Sequence, residues 1–339
     1  MSDASAPDWV ADPTIAWRIV LTARLTEPLP ADVARERLAG LHRDQGWAGR
    51  GQVVVVDDVA AARRALGDER VGVVSLGLSS DGTQVVVSAH HSRVDGLGLL
   101  TVLSALTGTP ITSSARGVGE RPDASGPVGT VVRRLAEVAW APPARVVGPT
   151  PATPQPRDVY VERLVPGEHR TAALVSAGVR GVVDHQREHR PRRRTRHVAV
   201  AVGVTRDATP WPISDRSALL RLRDVERLDA AGVAEALAHA ATARAVQATG
   251  SGAGMMRLGL RALAPRLGST LLVSHLGRVD GAVDALAFHP VTAGGTGLSL
   301  GGVTLRGSTC LTLRARGAQW THDGLEQLLE AVVAHLPEG

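Results

Sequence analysis

The chain has 339 residues, a hydrophobic content of 44% and a net charge of +5, enough for a real core and for more than one lobe. Its single cysteine, Cys310, excludes an intrachain disulfide and a cysteine zinc cluster, and no apolar run approaches the ~20 residues of a membrane span. All 38 basic residues are Arg, Lys and Asn are absent, and aromatics are 2%. A nucleic-acid partner is therefore not expected: the Arg bias resembles GC-rich coding, and stacking platforms are scarce. The opening MSDASAPDWVADP is acidic and polar, unlike a signal peptide, so a cytoplasmic protein is expected.

In chain order, residues 1–13 read as a tail. Residues 15–27 (IAWRIVLTARLTE) alternate as a strand that Pro28 and Pro30 end. Residues 31–44 place Val33, Leu38 and Leu41 at helical spacing. Gln52–Val56 is a short strand and 58–66 a short helix. Two β runs, 71–79 and 83–90, flank Ser80-Asp81-Gly82, a hairpin signal because Asp-Gly accepts the positive φ of tight turns. A helix follows over 96–107. Residues 108–157 are rich in Pro, Gly, Ser and Thr, with one helix expected at 128–140. The boundary between a first lobe (1–150) and a second (151–339) is placed there. The second lobe reads as a strand (158–164), a long helix (168–188), a strand (196–205), a helix (227–247), three β runs (269–275, 297–306 and 308–316) and a terminal helix (322–336).

Residues 85–100, VVVSAHHSRVDGLGLL, carry the most chemistry. A β-branched run leads into His90 and His91, and Asp95-Gly96 opens the helix at 96. Imidazole suits proton transfer near neutral pH, and a strand end holds it rigidly. The bland alternative is a pair of packed histidines beside a turn. A second segment, LLVSHLGRVDG over 271–281, sets a small hydroxyl, a polar ring and a flexible glycine at a strand end. Residues 189–196 (HRPRRRTR) are read first as a solvated helix end, where positive charge is favourable. His185, His189 and His197 are expected at the surface, and Cys310 and Met255-Met256 in packing.

His90-His91-Ser92-Arg93-Val94-Asp95-Gly96 fits HHxxxDG and resembles the active-site motif of the condensation-domain superfamily, which includes chloramphenicol acetyltransferase. The resemblance implies an α/β (α+β), two-lobed, pseudo-dimeric chloramphenicol-acetyltransferase-like fold with a tunnel between the lobes. It implies an acyltransferase joining an acyl thioester to an amine or alcohol, in natural-product biosynthesis such as nonribosomal peptide assembly. His91 would be the general base, Asp95 a brace, Gly96 the clearance at the helix start and His90 a support. Arg18 or Arg24 would pair with Asp95, with Arg93 inside the loop as a further candidate. Ser274-His275-Leu276-Gly277 resembles the family's Ser-Asn-x-Gly strand, with His275 where Asn is usual, and implies substrate contacts at Ser274, His275 and Gly277. Arg206 resembles the Arg that closes a second-lobe strand. The acyl donor would be acyl-coenzyme A or a phosphopantetheinyl carrier protein, with no permanently bound cofactor and no metal. Two alternatives stand beside it: a non-catalytic module that recruits carrier proteins, and a repurposed fold that cyclises or epimerises a tethered substrate.

Overall fold

The computed structural model describes residues 16–69, 72–119, 140–149, 157–190, 195–206, 213–240, 242–243, 268–292 and 297–338. The first stretch runs β1 (Arg18–Leu25), α1 (Ala31–Asp44), β2 (Gln52–Val56), α2 (Val59–Gly67), β3 (Val74–Ser79), β4 (Gln84–His90), α3 (Gly96–Thr107) and β5 (Thr112–Ser113). The second runs β6 (Asp158–Pro166), α4 (Thr171–His189), β7 (Val200–Thr205), β8 (Ser217–Leu222), a single 3-10 turn (Val225–Arg227), α5 (Ala230–His239) and β9 (Thr242–Ala243). It closes with β10 (Leu271–Asp280), β11 (Val283–His289), β12 (Leu298–Leu305), β13 (Ser308–Arg316) and α6 (His322–Val333).

Local chemistry sets most boundaries. Asp58, Asp95, Asp229 and Thr321 each cap a helix by accepting an amide three residues on, which satisfies one of the orphan donors of the first turn. The β3–β4 hairpin turns where Asp81 accepts both the amide and the hydroxyl of Thr83. Gly82 takes φ +71 there, and a Cβ on it would meet the Leu29 carbonyl at 2.7 Å.

The elements form two sheets. The smaller has the order β11-β1-β4-β3-β2, and the larger β6-β13-β12-β10-β7-β8-β9, with β5 paired to β10. One strand changes sides: β11, late in the chain, lies antiparallel to β1, with Leu21 opposite Phe288. The sheets thus share strands from both halves of the sequence.

Two cores result. The first joins β1, β3 and β4 to α1 and α3, and also takes in Leu276, Val279 and Val303 of the larger sheet. Six apolar residues of α3, from Leu97 to Leu106, are buried, as expected of a helix covered on more than one side. The second core packs α4 and α6 over the larger sheet, around Leu174, Val182, Leu325, Leu328 and Trp320. No described helix is long and apolar enough to cross a membrane.

Several expectations are corrected. The helix expected at 227–247 is shorter: Asp224 adopts a left-handed φ of +51, a 3-10 turn follows, and the α-helix begins only at Ala230. The strand expected at 269–275 continues to Asp280, because Gly277 at φ +77 absorbs a bulge where the pairing with β12 shifts. Strands β8 and β11 are not among the expected elements. His185 is not at the surface: it is buried beside His189 and Trp320, and burial holds its imidazole down at about 4. The 1–13 tail, Met255-Met256, residues 191–194 of the basic cluster and all but Trp140 of the 128–140 helix lie outside the described residues.

Candidate active site

The site is built around the loop between β4 and α3. His90 closes β4 opposite Arg18 of β1. The amide of His90 donates to the Val73 carbonyl and that of His91 to the Trp17 carbonyl, both at 2.8 Å. The amides of Arg93 and Val94 turn back onto the His90 carbonyl at 3.0 and 3.3 Å, so the loop is a tight, self-bonded turn. Trp17 sits at φ +53, an uncommon conformation for a bulky residue. The carbonyl that holds His91 therefore comes from a constrained point of the chain.

The two imidazoles differ. The Nδ1 of His90 lies 2.7 Å from the Ser92 hydroxyl. Its pKa is held down to about 4, chiefly by burial, with Arg18, His91 and Arg93 adding positive charge nearby. His90 is thus neutral at physiological pH. His91 is half-buried, and its Nδ1 lies 3.3 Å from the Val94 carbonyl. A carbonyl only accepts, so this contact assigns the proton to Nδ1 and the basic lone pair to Nε2.

Asp95 is 6% exposed. Its Oδ1 accepts the Gly98 amide at 2.7 Å, capping α3, and its Oδ2 accepts the Arg216 amide at 3.3 Å. Its own amide donates to the Ser214 carbonyl at 3.3 Å. Burial raises its carboxyl above the usual range, against the pull of these amides and of His91. The expected pairing of Asp95 with Arg18 or Arg24 is not what is found. The Arg18 guanidinium instead serves Glu69, through its carbonyl and carboxylate at 3.0 and 3.2 Å, and the Val73 carbonyl at 2.8 Å. Arg24 lies opposite Gln84, at the far end of the β1–β4 ladder from His90, with its side chain exposed. Backbone amides satisfy Asp95 where a guanidinium was expected.

Gly96 opens α3 against the larger sheet. A Cβ on it would meet Leu276 Cδ2 at 2.9 Å and Phe288 Cζ at 3.1 Å. This contact brings together the His loop and the Ser-His-Leu-Gly strand. Side chains alternate along β10. Leu272 and Leu276 join the core shared with the smaller sheet, while Leu271 and Val273 face α4. Ser274 falls on the first of these faces. His275 falls on the second: its Nδ1 lies 3.2 Å from the Thr171 hydroxyl of α4, and its Nε2 is buried with no hydrogen-bond partner. Burial, with His169 nearby, lowers its pKa to about 4. Gly277 accommodates β5, since its Cβ would lie 2.9 Å from the Ala115 amide, and Ser113 donates to the Leu276 carbonyl beside it.

Sequence reasoning missed two parts. One is segment 214–216, which brackets Asp95. The other is a polar joint between the sheets, buried at Arg63, Tyr160, His289 and Arg314. There Arg314 donates to Asp158 at 2.8 Å, and Arg63 to Glu162 at 2.7 Å. Both guanidinia lie over the Tyr160 ring, Arg63 at 5.6 Å and Arg314 at 5.0 Å from its centroid, with His289 edge-on to it. Cys310 is half-buried against the first core, and burial pushes its thiol up to about 12. Among the described residues one group has metal-like spacing, His322, Asp323 and Glu326, all exposed on the first turns of α6.

No protein-family model and no curated protein matches this sequence. Solved structures do match in fold. The starter condensation domain of rhizomide synthetase RzmA has a TM-score of 0.51 at 14% identity, over 97% of this chain and 92% of that one. A point mutant of the same domain, in complex with C8-CoA, has a TM-score of 0.55 at 13% identity, over 94% and 88%. The TRI3 trichothecene 15-O-acetyltransferase from Fusarium sporotrichioides has a TM-score of 0.57 at 10% identity, over 95% and 91%. The chain therefore has the mixed α/β, two-sheet fold of condensation domains and chloramphenicol-acetyltransferase-like enzymes.

Proposed function

We propose that this chain, which has the condensation-domain fold, is an acyltransferase that forms an amide or ester from an acyl thioester and works in natural-product biosynthesis. The observation that carries the reading is the His loop itself. An HHxxxDG segment leaves a strand, is capped into a helix by its own Asp95, and abuts β10 of the other sheet through Gly96 and Leu276. A fold shared with a starter condensation domain and an acetyltransferase supports the same reaction class. The complex of one such domain with C8-CoA supports a coenzyme A thioester as donor; a phosphopantetheinyl carrier protein is the other donor of the same chemistry.

In this mechanism the acceptor amine or hydroxyl gives its proton to His91 Nε2 as its lone pair attacks the thioester carbonyl. The tetrahedral intermediate collapses with loss of the thiolate, and His91 returns the proton to sulfur. The contact of Nδ1 with the Val94 carbonyl supports the tautomer this role needs, with the lone pair on Nε2. Asp95 shapes the loop and His90 stays neutral beside it. Ser274, on the β10 face that Leu276 shares, is the residue of its strand best placed to meet substrate; Gly277 shapes that strand.

The test is release of free thiol from acyl-coenzyme A, and from an acylated carrier protein, in the presence of amine and alcohol acceptors. His91→Ala is expected to lower turnover about 100-fold or more with an unchanged fold. Full activity in that variant overturns the mechanism. Carrier-protein binding without thioester consumption turns the assignment to recruitment, and a tethered substrate modified at constant mass turns it to epimerisation.

A further inference from the structure

The geometry points to Arg314 as a positioning residue for the His loop, a buried clasp that ties the strand supporting His91 to the larger sheet. Arg314 lies on β13 and is 2% exposed. Its Nη1 donates to the Arg18 carbonyl at 2.6 Å and to the Pro290 carbonyl at 3.2 Å, its Nη2 to the Gly67 carbonyl at 3.2 Å, and its Nε to Asp158 Oδ2 at 2.8 Å. One guanidinium thus grips the start of β1, the end of α2 and the exit of β11, with its charge balanced from β6. Only a planar fork with several fixed donors reaches four acceptors in this way; a lysine ammonium does not match that geometry.

The link to the site runs through successive peptide groups. Trp17 and Arg18 are neighbours in the chain. The Arg18 carbonyl is held by Arg314, and the Trp17 carbonyl accepts the His91 amide at 2.8 Å. The Arg18 side chain adds a second path, because it donates to the Val73 carbonyl, which also accepts the His90 amide. Both histidine amides therefore hang on carbonyls next to, or held by, Arg18, and Arg314 fixes that residue from the opposite sheet. The role deepens the His-loop reading given above, yet its structural half stands without it.

The experiment follows amide hydrogen exchange in peptides spanning 86–95, with peptides from β12 as reference, in the wild type and in Arg314→Lys. Exchange at His90 and His91 is expected to speed up about tenfold while β12 keeps its protection. A general loss of stability would instead accelerate both regions together, and that result, or an unchanged loop, overturns the clasp. Asp158→Asn keeps the guanidinium and removes its carboxylate; it is expected to give the same pattern more weakly, which covers the case in which Arg314→Lys does not fold. The wild type gives a third reading under low denaturant: loop amides that open with residues 313–315 support the clasp, and loop amides that open well before them overturn it. Turnover is measured in parallel, with a fall in kcat at constant KM expected. Loosening of the loop with no thioester activity in any form separates failure of the acyl-transfer reading from failure of the clasp.

Discussion

The carboxylate of Asp95 accepts the backbone amide of Arg216 at 3.3 Å. The residue that caps α3 with one oxygen therefore reaches, with the other, the segment leading into β8 of the larger sheet. Asp95→Asn keeps an acceptor for the Gly98 amide, but turns an NH2 group toward a donor at Arg216. Asp95→Ala loses both bonds. We expect the Ala variant to be less stable by about 1–2 kcal/mol, the usual size of a lost N-cap. We expect both variants to lose at least about tenfold in turnover, the Asn variant with the smaller fall in melting temperature. Thermal melts and thiol-release rates measured side by side check this. Full activity in both variants would remove Asp95 from the site.

Gly96 is a packing requirement. A Cβ there lies 2.9 Å from Leu276 Cδ2 and 3.1 Å from Phe288 Cζ, so Gly96→Ala overpacks the contact between the sheets. The expected cost is about 1–3 kcal/mol. Leu276→Ala makes room, so the double variant is expected to be more stable than the sum of the two single losses predicts, a coupling that a double-mutant cycle measures. Strict additivity would mean that the two residues do not meet.

His275 and Ser274 are adjacent in sequence and opposite in consequence. His275 faces Thr171 and α4, whereas Ser274 lies on the β10 face that Leu276 shares. Replacing His275 with Asn is expected to lower the melting temperature and leave the KM for the thioester within about twofold, since the change sits in packing. Replacing Ser274 with Val is expected to raise that KM with little change in melting temperature. Steady-state kinetics with melts on both variants decides between the two faces, and the reverse pattern would place the substrate on the α4 side.

Much of this site was legible because its signals are local. Asp95-Gly96 opens α3, and the turn at Ser80-Asp81-Gly82 fixes β4, so the His90-His91 exit could be read directly. Strands β8 (SALLRL) and β11 (VDALAFH) carry too few β-branched residues to announce themselves. They are strands because β7 and β1 pair with them, a tertiary cause that a local window does not contain. The partner of Asp95 was misread for the same reason. With 38 arginines in the chain, only the fold could show that Arg18 belongs to Glu69, or that Arg314 and Tyr160 meet residues of β1, α2 and the end of β11.

The joint between the sheets also carries a pH signature at Asp68. This residue ends α2 and faces Asp158, Arg314 and Arg157; burial first, then Asp158, raises its carboxyl to about 6, while the two arginines oppose the rise. The folded state thus holds a proton that the unfolded chain releases near ~3.9. The stabilisation from the protonated form is complete below about pH 4 and is lost as pH rises through about 6. Asp68→Asn removes the ionisation. Its stability relative to the wild type is expected to rise between pH 4 and pH 7 by about 1–2 kcal/mol, less than the full shift because the group is partly exposed. Denaturant unfolding of both proteins at pH 4, 6 and 8 gives the difference curve directly. A difference independent of pH would show that Asp68 titrates normally and that the charges around it balance.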